Sequence, residues 1–122
     1  MQVILSQTEL ETLGREWQKR LGLEFWNIAY RIVRMSDFDC KKQGECSWTF
    51  STAKAVIRLL DPIDYDNKYF SYDMEQVLVH ELIHLHMAGF DQTKSGSIED
   101  DMMERATEMI ANALVELKRA SK

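Results

Sequence analysis

The sequence predicts an α+β protein with an N-terminal helix, a small, three-stranded and mostly antiparallel sheet, and two helices at the C-terminal end. Three observations lead to this class. Near the N-terminus, a capping box is followed by apolar residues at helical spacing. Apolar and polar residues alternate in the next third of the chain, and two long segments with apolar residues at helical spacing follow. The chain has 122 residues, the length of one domain, so we expect a single domain over residues 1–122.

The charge and hydropathy of the chain argue against nucleic-acid and membrane partners. The formal net charge is −5 and no basic cluster is present. Because phosphate binding needs Lys and Arg gathered on one face, we expect no nucleic-acid partner. No run approaches the ~18 apolar residues of a membrane span, and the first residues do not resemble a signal peptide. We therefore expect no membrane partner and a soluble, cytoplasmic protein with reduced cysteines.

The first predicted element is a helix over Ser6–Leu21. Ser6 and Glu9 have the residue types and the spacing of a capping box, which marks the start of a helix. Apolar residues follow at helical spacing. Gly22 then marks the end, because glycine is common just after the last helical residue.

Three strands are predicted in the middle of the chain. The first covers Phe25–Met35, and the other two cover Cys46–Ser51 and Lys54–Asp61, where apolar and polar residues alternate. Pro62 ends the last of them. The residues of this strand that should share one face are Ala53, Ala55, Ile57 and Leu59. We expect the strand, about Ala53–Leu60, to be a sheet edge to which an extended peptide can pair.

Two helices are predicted in the C-terminal half. Asp64–Tyr72 is a polar and aromatic loop, and it leads into a helix over Asp73–Ala88 whose apolar residues surround almost the whole cylinder. Such a helix is typically buried at the centre of a protein. A loop over Asp91–Gly96 follows. Ser97 has the residue type of an N-cap for a long last helix, about Ile98–Ala120.

The buried helix carries all three histidines of the chain. His80 and His84 are four residues apart, so both imidazoles lie on one helix face, where they can hold one metal ion. Glu81 lies about 100° further round the helix, where it can act on an attacking water without being a ligand. This is the HExxH pattern of zinc hydrolases. Burying these groups without partners would cost several kcal/mol, which favours a metal site over a chance arrangement.

A catalytic zinc ion needs a third protein ligand. His86 is two residues from His84 and points to the opposite side of the helix, so the third ligand is a carboxylate or, less favourably, a thiolate. On the last helix, Glu104 and Glu108 lie four residues apart on one face. One can bind the metal while the other accepts the free N–H of a ligating histidine. We favour Glu104 as the ligand and Glu108 as the supporting residue; Glu99 and Glu108 stay open as rival ligands.

Two segments resemble the gluzincin clan of zinc peptidases: His80-Glu81-Leu82-Ile83-His84 and Glu104-Arg105-Ala106-Thr107-Glu108. The small single-domain forms called minigluzincins are similar in length, and the match that carries the motifs covers about Asp73–Leu117. The resemblance implies a zincin-like fold, a zinc ion on His80, His84 and Glu104, and hydrolysis of peptide bonds. One departure is Glu108, which stands where an aspartate is common.

The sequence therefore predicts a zinc-dependent metallopeptidase that acts on a peptide or protein substrate. Glu81 is expected to serve as general base and then as general acid. An additional donor normally stabilises the oxyanion of acyl transfer. Tyrosines near the motif helix or in the sheet are candidates for this donor: Tyr30, Tyr65, Tyr69 and Tyr72.

Two other interpretations stay open. Cys40 and Cys46 can in principle join His80 and His84 in a structural zinc site, although their separation exceeds the usual spacing of about two to four residues between such cysteines. Alternatively, the chain is a non-catalytic or latent zinc-containing module that binds peptides and regulates a partner. The sequence indicates no oligomeric state.

Overall fold

The structure is a computed structural model and describes residues 2–89 and 96–121. Its first helix, α1, covers Gln7–Arg20 and confirms the predicted N-terminal helix. Ser6 is the N-cap, and the capping box with Glu9 is formed in both directions. Gly22 follows the helix with a φ of 71°, a conformation that glycine adopts at little cost.

The sheet contains three strands: β1 (Asn27–Val33), β2 (Gly44–Thr49) and β3 (Lys54–Leu60). Their order is β1-β3-β2, with β1 parallel to β3 and β2 antiparallel to it. The prediction of a mostly antiparallel sheet is therefore wrong, because one of the two pairings is parallel. A parallel pair needs a crossover, and here β2 with its flanking loops provides it. The alternation of apolar and polar residues identifies the buried face of a strand, but it does not identify which strands pair with it or in which direction.

β3 lies at the centre of the sheet, so the prediction that Ala53–Leu60 forms an edge is wrong. The expected alternation is confirmed from Ala55 onward, with Ala55, Ile57 and Leu59 all buried. Ala53 is not part of the strand, because it ends a short 3-10 turn with a φ of 53° in the left-handed region. That turn, Phe50–Thr52, also makes β2 end earlier than predicted.

The second helix, α2, covers Met74–Met87, and nine of its residues are buried. It confirms the prediction of a central apolar helix, which packs against β2 and β3. The third helix, α3, covers Ile98–Ala120 with Ser97 as its N-cap. Of the predicted loop Asp91–Gly96, residues 91–95 lie outside the described residues. The described residues form an α+β fold of three α-helices and a mixed three-stranded sheet.

A cluster of charged and polar side chains fixes α3 to the start of α2. Arg119 donates to Asp73, the N-cap of α2, at 2.9 and 3.1 Å, and to Glu75 at 3.1 Å. Lys118 and the indole of Trp17 in α1 both donate to the second oxygen of Glu75, at 2.6 and 2.8 Å. These donors hold the pKa of Glu75 below its ordinary value even though burial acts in the opposite direction. Because the C-terminal end of α3 is held here, its first half lies beside the last turns of α2.

Among the described residues, no helix is long and apolar enough to cross a membrane.

Candidate metal centre

Two helices bring three metal-ligating side chains together. His80 and His84 come from one face of α2, and Glu104 comes from the facing side of α3. The Nε2 atom of His80 lies 3.3 Å from Oε1 of Glu104, and Nε2 of His84 lies 3.1 Å from the same oxygen. The three donor atoms all lie within 4.8 Å of one another. This cluster can hold a metal ion.

Two of the three distances within the cluster match the donor spacing of a tetrahedral metal site. With donors about 2.0–2.1 Å from a central zinc, tetrahedral geometry places neighbouring donor atoms about 3.3 Å apart. The observed separations of 3.1 and 3.3 Å match that spacing. Two imidazoles and one carboxylate are also the kind of set that leaves a fourth position for water or substrate. The three described donors could therefore hold a metal ion, and they do not by themselves complete a four-coordinate site.

Glu108 supports the first histidine. Its Oε1 atom lies 2.8 Å from Nδ1 of His80, one turn of α3 beyond Glu104. A carboxylate at Nδ1 favours the tautomer with the proton on that nitrogen, which leaves the lone pair of Nε2 directed at the metal position. The same oxygen accepts a hydrogen bond of 2.8 Å from the side-chain amide of Gln76.

The cluster binds protons strongly when it holds no metal. Burial alone would lower the pKa of His80, but its contacts with Glu104, Glu81 and Glu108 outweigh burial and raise it to about 9. The pKa of His84 is also raised, because the effect of its acidic neighbours, chiefly Glu104, outweighs that of burial. The two histidines in turn hold the pKa of Glu104 far below its ordinary value. A metal ion that binds here therefore displaces protons from the imidazoles.

Glu81 is buried beside the cluster but does not belong to it. Only 8% of the residue is exposed, and burial raises the pKa of its carboxyl group to about 7, although the neighbouring His80 and His84 act in the opposite direction. Such a carboxyl group can both take up and release a proton near neutral pH.

The first residue of β2, Gly44, packs closely against the side chains of Glu81 and Val77. A Cβ atom at Gly44 would lie 3.2 Å from the Glu81 carboxylate and 2.7 Å from Cγ1 of Val77. Only a residue without a side chain allows this approach.

A cleft of about 340 Å³ opens at the cluster. It lies between β2, α2 and α3, and it is lined by Lys42, Gln43, Gly44, Gln76, Val77, His80, Glu81, Glu104 and Glu108. A larger cleft, of about 420 Å³, lies on the sheet and contains none of these residues. The smaller cleft is the candidate site, because two of the three potential ligands, His80 and Glu104, line it together with the buried Glu81.

Neither a protein-family model, nor a curated protein, nor a solved structure matches this chain. The functional conclusion therefore depends on the residues of the cleft and their geometry.

The other residues considered as ligands lie away from the cluster. Glu99 is exposed in the first turn of α3 and does not join the described donor group. His86 points away as expected, with its Nε2 atom 2.8 Å from the carbonyl oxygen of Leu21 at the end of α1. Cys40 is exposed, Cys46 is half-buried, and both are free thiols outside the donor group. Burial raises the pKa of Cys46, which disfavours the thiolate that a metal would need.

None of the candidate tyrosines lines the cleft. The hydroxyl groups of Tyr30 and Tyr72 are buried and donate to Gln18 and to the carbonyl of Leu60. The Tyr65 hydroxyl donates to backbone carbonyls of its own loop, and Tyr69 is exposed in that loop. The oxyanion donor predicted among these tyrosines is therefore not in place in this structure.

The sequence interpretation missed five of the residues that line the cleft: Lys42, Gln43, Gly44, Gln76 and Val77. Gln76 lies one turn before His80, so helical spacing could have placed it beside the motif. Gly44 and Lys42 lie between the first two predicted strands, and no pattern in that segment indicates that it reaches the motif helix. Lys42 is nevertheless close enough for its charge to act on Glu81.

Proposed function

We propose that the protein is a zinc-dependent metallopeptidase, with zinc on His80, His84 and Glu104 and with Glu81 as general base and then acid. One observation carries the proposal: a buried carboxyl group with a pKa near 7 lies against a donor set of open geometry without being part of it. A structural metal site gives such a carboxyl group no task. The resemblance of the two motif segments to the gluzincin clan points in the same direction.

The chemistry divides between the ion and the chain. Bound zinc would polarise the scissile carbonyl and make water acidic enough to attack it at neutral pH. Glu81 takes the proton of the attacking water and later gives it to the leaving amine. Burial supports this role, because it raises the pKa of the Glu81 carboxyl group above its ordinary value and so makes its carboxylate a stronger base. His80 and His84 would hold the ion through Nε2, together with Glu104, and the contact of Glu108 with Nδ1 of His80 favours the tautomer that this requires.

The free edge of β2 is the proposed place for the substrate. β2 pairs with β3 on one side, and no described strand lies on its other side. Its first residue, Gly44, lies at the cleft and against Glu81. An extended peptide that pairs with this edge would run past the metal position with its backbone held by hydrogen bonds. β3, which the sequence predicts to be the edge, lies at the centre of the sheet and has no free edge for a peptide.

Zinc is the proposed metal because of the donor set. Two imidazole nitrogens and one carboxylate oxygen are typical of catalytic zinc, whereas magnesium and calcium prefer oxygen donors alone. A cytoplasmic location accords with the two free thiols, Cys40 and Cys46.

Exchange of Glu81 for glutamine tests the mechanism. Glu81→Gln keeps the size of the side chain and one acceptor oxygen but removes the base. We expect the variant to bind zinc as the wild type does and to lose at least about 100-fold in the rate of peptide cleavage. Cleavage at the wild-type rate would exclude the mechanism. Zinc-loaded wild type that cleaves nothing in a broad peptide library would instead favour the peptide-binding module.

A pair of variants on α3 tests the third ligand. Glu104→Ala should lower zinc affinity sharply, whereas Glu99→Ala, which also removes one negative charge from α3, should leave it nearly unchanged. Competition with a chromophoric chelator measures both. The reverse outcome would move the ligand to Glu99.

A further inference from the structure

One oxygen of Glu108 accepts two hydrogen bonds from α2. Its Oε1 atom lies 2.8 Å from Nδ1 of His80 and 2.8 Å from the side-chain nitrogen of Gln76. Gln76 lies four residues before His80, one turn earlier on the same helix face. The amide and the imidazole therefore hold the carboxylate between them.

The second bond is significant because the Glu108 side chain is otherwise free to move. It is 50% exposed, and a glutamate has one more rotatable bond than an aspartate. Ordering such a side chain costs conformational entropy, and in water the many alternative rotamers compete with the contact to His80. A fixed donor on α2 selects the rotamer that reaches His80. The longer side chain at position 108 thus becomes an effective support for the ligand.

We infer that Gln76 is a positioning residue of the metal site: its amide holds Glu108 against Nδ1 of His80 and thereby keeps Nε2 free for the metal. The inference rests on the metal site of the proposed function and adds a residue that acts on that site through Glu108. It does not depend on whether the site cleaves peptides.

The location of Gln76 in α2 allows its effect on the metal to be separated from its effect on the helix. Asp73 is the N-cap and accepts the backbone N–H of Gln76, which is therefore the third residue of the helix. A glutamate is favoured at that position, because it interacts well with the positive end of the helix dipole and can complete a capping box. Gln76→Glu should therefore preserve the stability of the metal-free protein while it removes the donor to Glu108.

The direction of the affinity change identifies the cause. An added negative charge near the cleft would strengthen the binding of a cation by simple electrostatics. We expect Gln76→Glu to weaken zinc binding by about tenfold, as is typical when a supporting hydrogen bond of a ligand is lost. Gln43→Glu is the matched control, since Gln43 lines the same cleft but makes no described contact with Glu108. It should not weaken zinc binding.

The experiment measures zinc dissociation constants by chelator competition and thermal unfolding of the metal-free variants. A second pair, Gln76→Ala alone and in the Glu108→Asp background, tests the route through Glu108. The loss caused by Gln76→Ala should fall from about tenfold to less than about twofold in that background, because the shorter carboxylate does not reach position 76. The visible spectrum of the cobalt-substituted protein should change with Gln76→Ala only in the background that keeps Glu108.

Wild-type affinity in both Gln76 variants, with binding lost in His84→Ala, would overturn the role of Gln76 alone. An equal loss in both backgrounds would also overturn it, since the effect would then not pass through Glu108. A wild-type protein that binds no zinc would contradict the metal site itself. Absence of peptide cleavage would contradict only the proposed reaction.

Discussion

Gly44→Ala perturbs the contact between β2 and the motif helix. The added methyl group would lie 2.7 Å from Cγ1 of Val77, which is closer than any real contact between carbon atoms. Val77 is β-branched and nearly fixed at χ1 in a helix, so it cannot easily turn away. The backbone of Gly44 does not lie in the left-handed region, and the cost therefore arises from packing rather than from strain at φ.

The magnitude follows from two opposing effects. Overpacking of a well-packed core costs about 1–3 kcal/mol. The loss of chain freedom in the unfolded state returns about 0.4–1 kcal/mol when alanine replaces glycine. With the middle of each range, the net loss of unfolding free energy is about 1.3 kcal/mol, which lowers the melting temperature by roughly 5 °C for a chain of this length. Val77→Ala in the same chain should recover part of the loss, because it removes the closest atom.

Thermal and urea unfolding measure this change, with Gly89→Ala as the control. A Cβ atom at Gly89 would meet the ring of Phe50 at 3.4 Å, an ordinary contact, so this variant should be neutral or slightly stabilising. Gly44→Ala should also slow peptide cleavage several-fold at unchanged zinc affinity, because the methyl group displaces Glu81 by a few tenths of an ångström. A Gly44→Ala protein as stable as the wild type would refute the close approach of β2 to α2.

Three further outcomes are expected. Glu75 has a lowered pKa, so its contribution to stability is complete above its unfolded pKa and disappears as the pH falls through its lower folded pKa. Glu75→Gln should therefore flatten the decrease in unfolding free energy between about pH 5 and pH 3, measured by urea titration; an unchanged slope would contradict this. His86→Ala should lower the free energy of unfolding by about 0.5–1.5 kcal/mol, because it removes the hydrogen bond to the Leu21 carbonyl. Zinc affinity should stay unchanged. Weakened zinc binding would show that His86 acts at the metal. The pKa of His80 is raised to about 9 and that of His84 is also raised, so zinc binding at pH 7 should release more than about one proton. Calorimetry in buffers of different ionisation enthalpy measures this number. Release of less than about half a proton would contradict the raised pKa values.

Much of the fold was predictable because its signals are local. The capping box at Ser6 and the all-round apolar pattern of α2 depend on residues close in sequence, and the structure confirms both. Strand order depends on contacts between distant segments. Alternation correctly identified Ile57 as buried, but it contains no information on whether β3 lies at the centre or at an edge.

The candidate site also contains residues that local patterns predict and residues that only distant contacts bring together. His80, Glu81 and His84 form one local motif, and the spacing of Glu104 and Glu108 on one helix face was readable from the sequence. The structure brings these residues together as the cluster requires. The approach of Gly44 could not be predicted, because it depends on how the connection after β1 folds back over α2.

X-ray absorption at the zinc edge of the reconstituted wild-type protein tests the central claim most directly. With zinc on His80, His84 and Glu104, the spectrum should show four nitrogen and oxygen donors at about 2.0–2.1 Å, two of them imidazoles, at one zinc per chain. The fourth donor should exchange with added small anions, since it is not supplied by the protein. A sulfur donor at about 2.3 Å would instead place Cys40 or Cys46 on the metal and contradict an open, catalytic site.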